Sequence, residues 1–257
     1  MILEEFDSDK KAVINPHVMV EDISDMPRTA ISCFSAGVFR RMIKVLQAKP
    51  LQAGAHTLIG NFYKAEHQGE QLLLFNAPMG APVCVAALEQ VFAMGTETII
   101  LFGSCGVLQE DIKENSLIIP VSAIRDEGTS YHYAPASDEI KVNPEYREKF
   151  EHILQKLELT YTKGKVWTMD AFFRETVSKL RRRREQGCIC VDMECSAVSA
   201  LARFREKEVF QFFYAADALT EDGWNERSLN YVKEKAVIDK IITAAAELAV
   251  HMKKIKR

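Results

Sequence analysis

The chain has 257 residues and a formal charge of −3, with 47% apolar and 27% charged residues. That balance belongs to an ordinary folded protein rather than a disordered one, and the small net charge excludes a global pull toward nucleic acid or an anionic membrane. Six cysteines in apolar runs lack the spacing of a disulfide framework, the start MILEEFDSDKK is acidic where a leader would be basic and apolar, and no run of about 18 apolar residues exists; these features predict reduced thiols, no membrane span and a cytoplasmic location.

Hydrophobic periodicity divides the chain into short β-branched runs and amphipathic stretches. The pattern predicts strand Thr29 to Cys33, helix Val38 to Gln47, strand Gln71 to Phe75 and helix Pro82 to Met94. Strands Thr98 to Phe102 and Ser116 to Val121 follow, then helix Tyr146 to Leu157 and strands Lys165 to Thr168 and Gly187 to Val191. Helix Glu194 to Arg205, strand Val209 to Ala215 and helix Leu229 to Lys254 complete the series. The last helix carries Val237, Ile241, Ala244, Ala245 and Leu248 on one stripe, as a core-packing helix does. Alternation of this kind predicts an α/β fold, a three-layer αβα sandwich around a mixed, mainly parallel sheet. No linker, repeat or low-complexity tract interrupts it, so residues 1–257 read as one domain.

In such sheets ligands collect beyond the carboxyl ends of the strands, and four segments there carry chemistry. Gly103-Ser104-Cys105-Gly106 follows an apolar strand; its glycines suit a tight turn, and its amides with the Ser104 hydroxyl equally suit an anion cradle. Val191-Asp192-Met193-Glu194 sets two acids around a thioether where a strand meets a helix. A carboxylate there accepts hydrogen bonds from vicinal hydroxyls and the thioether offers a polarizable contact, while acids at a helix start are also favoured by its dipole. Thr168-Met169-Asp170-Ala171-Phe172-Phe173 ends a strand in two aromatics, suited to stacking on a heterocycle or to filling a core. Asp217 ends a strongly apolar run, where burial would raise its pKa toward that of a proton donor.

Together and in this order the four segments resemble the nucleoside phosphorylase family that includes uridine phosphorylase and the hexameric purine nucleoside phosphorylases. GSCG at 103–106 is similar to the family's phosphate turn, RDEGTSYHYAP at 125–135 to its central strand and loop, TMDAFF at 168–173 to its base-stacking segment, VDMECSA at 191–197 to its ribose-binding motif, and PMGAP at 78–82 to its glycine-rich loop. The resemblance implies cleavage of an N-glycosidic bond with inorganic phosphate as co-substrate and no metal or organic cofactor. It implies that Met193 and Glu194 hold the ribose with Asp192 beside them, that Phe172 stacks on the base, and that Gly80 belongs to the substrate pocket. It further implies that Asp217 protonates a purine leaving group with help from Arg227, and that Gly103, Ser104 and Arg40 bind phosphate. His17 resembles a histidine that reaches a neighbouring subunit's sugar, which implies a homo-oligomer, a dimer or a hexamer built as a trimer of dimers.

The phosphate site departs from the family pattern. Two arginines expected there are replaced by Leu101 and Leu58, and the first loop reads Ala36-Gly37-Val38-Phe39-Arg40, keeping only its arginine. Charge-assisted bonds of this kind contribute roughly 1.5–3 kcal/mol each, so phosphate binding needs substitutes such as Arg41, Lys44 or Arg125. A hydrolytic nucleosidase releasing free ribose and a non-catalytic nucleoside-binding protein are the alternatives. The first loop has no glutamate to activate water, which favours phosphorolysis. The run Arg181 to Arg184 reads as a solvated helix end, the Cys188/Cys190 alternation as a buried strand rather than a metal site, and Asp126 and Glu127 as loop-fixing or chemical.

Overall fold

The computed structural model describes residues 2–20, 23, 25–52, 57–229 and 235–254. Its strands are β1 (Thr29–Cys33), β2 (Lys49–Leu51), β3 (Phe62–His67), β4 (Glu70–Asn76), β5 (Thr98–Val107), β6 (Leu117–Asp126), β7 (Glu139–Lys141), β8 (Tyr161–Met169), β9 (Cys188–Asp192), β10 (Glu208–Thr220) and β11 (Gly223–Asn225). Its helices are α1 (Ala36–Val45), α2 (Ala81–Ala93), α3 (Arg147–Lys156), α4 (Val177–Glu185), α5 (Cys195–Phe204) and α6 (Lys235–Lys254). The N-terminal part of the helix expected from Leu229 lies at 230–234, outside the described residues.

Local chemistry sets these boundaries. Helix α1 begins where the Ser35 hydroxyl accepts from the Val38 amide at 3.3 Å, and α4 where Thr176 accepts from Lys179 at 3.4 Å. Helix α2 has Pro82 in its first turn, where the missing N–H costs nothing. Strands β1, β5 and β10 are covered on both faces and therefore read as apolar runs without alternation. The stripe on α6 packs Ile241, Ala244, Ala245 and Leu248 into the core, where Phe102 stacks on Phe212 at 5.2 Å and Phe150 closes on Phe212 at 4.6 Å. Truncating Phe212 to alanine would cost about 3–5 kcal/mol.

The expected α/β fold with a mixed sheet is present, but the sheet is not a flat layer. Strand order runs β11-β10-β6-β8-β9-β5-β1-β4-β3-β2, and β10 also pairs with β5, so β5, β10, β6, β8 and β9 close into a ring with β1 to β4 as an extension. Parallel pairs make up most of the ring and the extension's core, while the ring is closed by two short antiparallel contacts, Gly106↔Val191 with Val107↔Cys190, and Phe213↔Ile118 with Tyr214↔Leu117.

Closure explains the glycines of the GSCG segment, which lie inside β5 and not in a turn. A Cβ on Gly106 would stand 2.4 Å from Leu219 Cδ1 and 3.2 Å from Val191 Cγ1, and one on Gly103 would stand 2.6 Å from the Phe34 ring. Both glycines are there for close approach between packed elements. The arginine run, expected as a solvated helix end, braces this junction: Arg184 donates to the carbonyls of Leu108 and Leu219, Arg181 to Glu221, and Arg183 to Asp126.

One edge of β5 changes partner along its length. Residues 98–102 pair with β1 and residues 106–107 with β9, both opposite β10, which leaves 103–105 without a strand on that edge. Helices α1 and α5 begin within three residues of the ends of the two flanking strands, β1 and β9. Such a switch point is where open α/β sheets take ligands.

Candidate active site

Ser104 is the exposed residue of β5 and sits in the middle of the gap. On one side β9 pairs with β5 at Gly106 and Val107 and ends at Asp192, directly before Met193 and Glu194. On the other side β10 carries Asp217 opposite Gly106, at a bulge between Ala215 and Asp217 that turns the carboxyl into the space Gly106 leaves empty. A Cβ on Gly106 would lie 3.3 Å from Asp217 Oδ2. The residues around VDME, GSCG and Asp217 thus meet on three adjacent strands.

Glu194 is 4% exposed, and the Gly80 amide donates to its Oε1 at 2.5 Å. Gly80 has φ +100°, a conformation natural for glycine, and it points its N–H across from the start of α2 to the start of α5. The Gly80 amide is thereby engaged by Glu194, and the residue itself is partly exposed. Asp192, two residues before Glu194, is held as well. Its Oδ1 accepts from the Thr168 hydroxyl at 2.7 Å and its Oδ2 from the amides of Glu194 at 2.9 Å and Cys195 at 2.7 Å. Oδ2 therefore caps the start of α5 and Oδ1 ties it to β8.

Burial pushes both carboxyls above the usual range. For Glu194 the nearby Asp192 charge adds to the rise while amides of Gly80 and Met193 oppose it; for Asp192 the three hydrogen bonds pull back. The Asp192 carboxylate is thus compensated by three donors from its own chain, and Glu194 by fewer. Met193 is half-buried beside it. Phe172 is 47% exposed in a short turn after β8, tilted against the more exposed Phe173 at 4.0 Å between centroids.

Asp217 is 8% exposed. Burial raises its pKa, and a hydrogen bond from Trp224 and the charge of Arg227 oppose the rise. The direct partner is Trp224, whose Nε1 donates to Oδ2 at 2.8 Å, a residue that sequence patterns did not single out. Arg227, expected as the direct helper, donates its guanidinium to the Ile112 carbonyl at 2.9 Å and acts on Asp217 through space. Glu175, in the turn after Phe172, is pushed up to about 7 by burial and by the charge of Asp217.

Beneath Ser104 a cavity of about 620 Å³ is lined by Ser35, Arg40, Arg41, Lys44, Asn115 and Lys235 among others. Arg40 is exposed on its wall, and Arg41 is engaged by Asp239, with Nε donating at 2.6 Å. Arg125 is excluded as a substitute cation, because it is buried and donates to Ser130, Ala134, Pro135 and Ser137. Leu101 is fully buried between α2 and α5, and Leu58 is half-exposed with its amide on Gln90; neither position offers charge. Lys235 and Asn115 are new members, distant in sequence and invisible to motif spacing. Gly103 contributes its packing against Phe34 rather than an open turn.

His17 stands elsewhere. It lies exposed in a groove with Glu89, Phe92 and Arg205, at the far end of α5 from Glu194. Ten residues of helix put about 15 Å between the two, so His17 does not join the Glu194 site of its own chain. Asp126 accepts from Trp167, Lys179 and Arg183, and Glu127 from Ser196 and the Ser130 amide; both hold loops in place. All six thiols are buried.

A closed α/β sheet with an open switch point, flanked by a buried carboxylate and a cationic cavity, defines a protein built to hold a small polar ligand at its strand ends. The family model of the phosphorylase superfamily matches residues 28–254, and the chain belongs to that superfamily. It is 26% identical over 190 residues to a guanosine phosphorylase of Halorubrum lacusprofundi, covering 73% of this chain and 77% of that one. It is 25% identical over 162 residues to a DeoD-type purine nucleoside phosphorylase of Brevibacillus brevis, covering 60% and 67%. Among solved structures, a uridine phosphorylase from Vibrio fischeri superposes with a TM-score of 0.74 at 22% identity, covering 94% of this chain and 98% of that one. A purine nucleoside phosphorylase from Toxoplasma gondii in complex with immucillin-H gives 0.74 at 18%, covering 95% and 99%. At these identities the two structures speak for the fold.

Proposed function

We propose that this chain is a single-domain nucleoside phosphorylase, a pentosyltransferase that cleaves the N-glycosidic bond of a purine nucleoside with inorganic phosphate. What supports the reading is the buried Glu194 carboxylate held by Gly80, just past the end of the strand that pairs with β5 at Gly106, the residue that β10 meets with Asp217. The names of the relatives support the same reaction class.

Glu194 accepts hydrogen bonds from the ribose hydroxyls and, once ionised, stabilises the positive charge that grows on the sugar ring as the bond to the base lengthens. Met193 packs on the sugar and Phe172 on the base. Asp217, whose pKa burial raises, donates its proton, when protonated, to the departing purine, which leaves as a neutral base. Phosphate sits at Ser104 between the α1 N-terminus, Arg40, Lys44 and Lys235, and attacks C1′ from the cavity side. The residues present need no metal or organic cofactor for these steps. His17 completes a neighbouring subunit's site, so the working form is a homo-oligomer, and the enzyme acts in the cytoplasm. Among the described residues no helix is long and apolar enough to cross a membrane.

A panel of inosine, guanosine, adenosine and uridine, assayed with and without phosphate and with the sugar product identified, tests this. Phosphate-dependent release of purine with pentose 1-phosphate is expected. Free ribose formed at equal rates without phosphate would instead mark a hydrolase, which the cationic cavity under Ser104 argues against.

A further inference from the structure

The hairpin that follows β10 has a job at the site. Its register pairs Leu219 with Trp224 and Thr220 with Gly223, so Trp224 shares a sheet face with Leu219 and, two residues back, with Asp217. Diagonal neighbours on one face lie within reach of an aromatic side chain, and here the reach is used: the indole N–H meets Asp217 Oδ2 at 2.8 Å. The ring itself is 58% exposed while the carboxyl it holds is 8% exposed. An indole left in solvent with its polar edge on a buried carboxyl is not placed there for core packing.

We propose that Trp224 is a positioning residue that decides which oxygen of Asp217 carries the transferable proton. The proposal rests on Asp217 being the proton donor to the base. An indole nitrogen can only donate, and a carbonyl oxygen accepts better than a hydroxyl oxygen does, so the bond at Oδ2 favours the acid's proton on Oδ1. Gly106 keeps the carboxyl from being displaced, since Oδ2 lies 3.3 Å from where a Cβ would stand. On transfer, the O–H bond at Oδ1 breaks, the proton bonds to the purine nitrogen, and the electron pair stays on a carboxylate whose bond to Trp224 becomes charge-assisted and stronger. The indole therefore helps the acid more after proton loss than before, which lowers the barrier rather than tightening ground-state binding. Among the described residues, the other charged groups that act on Asp217 are Glu175 from the turn after β8 and Arg227 beyond β11; they act through space and leave the choice of oxygen to Trp224.

The test replaces Trp224 by its benzothiophene isostere, which keeps the ring and swaps N–H for sulfur, with Trp224→Phe as a second variant. For the isostere, kcat for inosine is expected to fall about 10-fold or more with KM within twofold, the scale of one lost bond to a charged group. The basic limb of its kcat–pH profile should move up, because a carboxylate stripped of a donor holds its proton longer. Nitrogen-15 spectra of the wild-type protein should show two indole signals, one per tryptophan, and that of Trp224 should titrate with Asp217 and shift in Asp217→Asn. An isostere with wild-type kcat and pH profile, or an indole signal blind to Asp217, overturns the positioning role while leaving the nucleoside reading intact. Full purine turnover in Asp217→Asn would instead remove the proton-donor reading beneath it.

Discussion

The two halves of the candidate site are built differently. On the nucleoside side each polar group is fixed from behind: Gly80 holds Glu194, Thr168 and two α5 amides hold Asp192, and Trp224 holds Asp217. On the phosphate side the groups are long cations around an open cavity, one of them already engaged by Asp239. A preorganised half pays its ordering entropy during folding and loses much when one donor is removed. A loosely assembled half spreads its contribution, so each cation should matter less and salt should matter more.

That contrast can be broken most sharply at Glu194. Glu194→Gln keeps the shape and the Gly80 contact but removes the charge, and turnover of every nucleoside should drop by about 10³, as loss of a preorganised electrostatic group does; base release followed spectrophotometrically gives the answer. Next is Asp217→Asn, expected to lower purine cleavage about 10²-fold or more while sparing any pyrimidine cleavage, and equal losses on both bases would contradict the purine assignment. On the open side, Arg40→Ala and Lys235→Ala should each raise the KM for phosphate roughly 10-fold, with the nucleoside KM unchanged. If either variant cost as much as Glu194→Gln, the two halves would not differ in kind.

Smaller effects sharpen the picture. Gly106→Ala forces a Cβ against Leu219, Val191 and the Asp217 carboxyl; a loss of about 1–3 kcal/mol in denaturant unfolding should accompany a drop in purine turnover. The smallest is a pH effect at Glu175. Its folded pKa, about 7, stands above the ordinary 4.5, so the native state keeps a proton that the unfolded chain has released. Its contribution to stability is intact below about 4.5 and is lost as pH rises toward 7, and Glu175→Gln should flatten that fall in thermal melts taken across the window.

Much of this architecture could be read from periodicity, because the long buried strands and the helices with apolar stripes carry strong patterns. What escaped had weak ones. Strand β3 (FYKAEH) mixes three ionisable residues with its apolar ones at a sheet border, β7 and β11 span only three residues, and α4 buries Leu180 alone. Ring closure depends on β10 meeting both β5 and β6, a pairing that no local signal announces. In the site, Met193, Glu194, Phe172 and Asp217 stood out because acids and aromatics at strand ends are conspicuous. Trp224, Glu175, Lys235 and Asn115 did not, since each arrives through the fold rather than through a motif. The GSCG glycines were visible, but their reason was not: a turn and a crowded strand junction demand the same residue.

The junction at Gly106 also bears on how this chain can change over time. The hydrogen atom in place of a side chain serves the barrel's seam and the acid's berth at once, so a mutation there is tested for folding and for chemistry in a single step. A replacement tolerated for one purpose but not the other has no intermediate route. Drift in base preference should therefore accumulate around the exposed Phe172 and leave the seam and the Trp224 contact untouched.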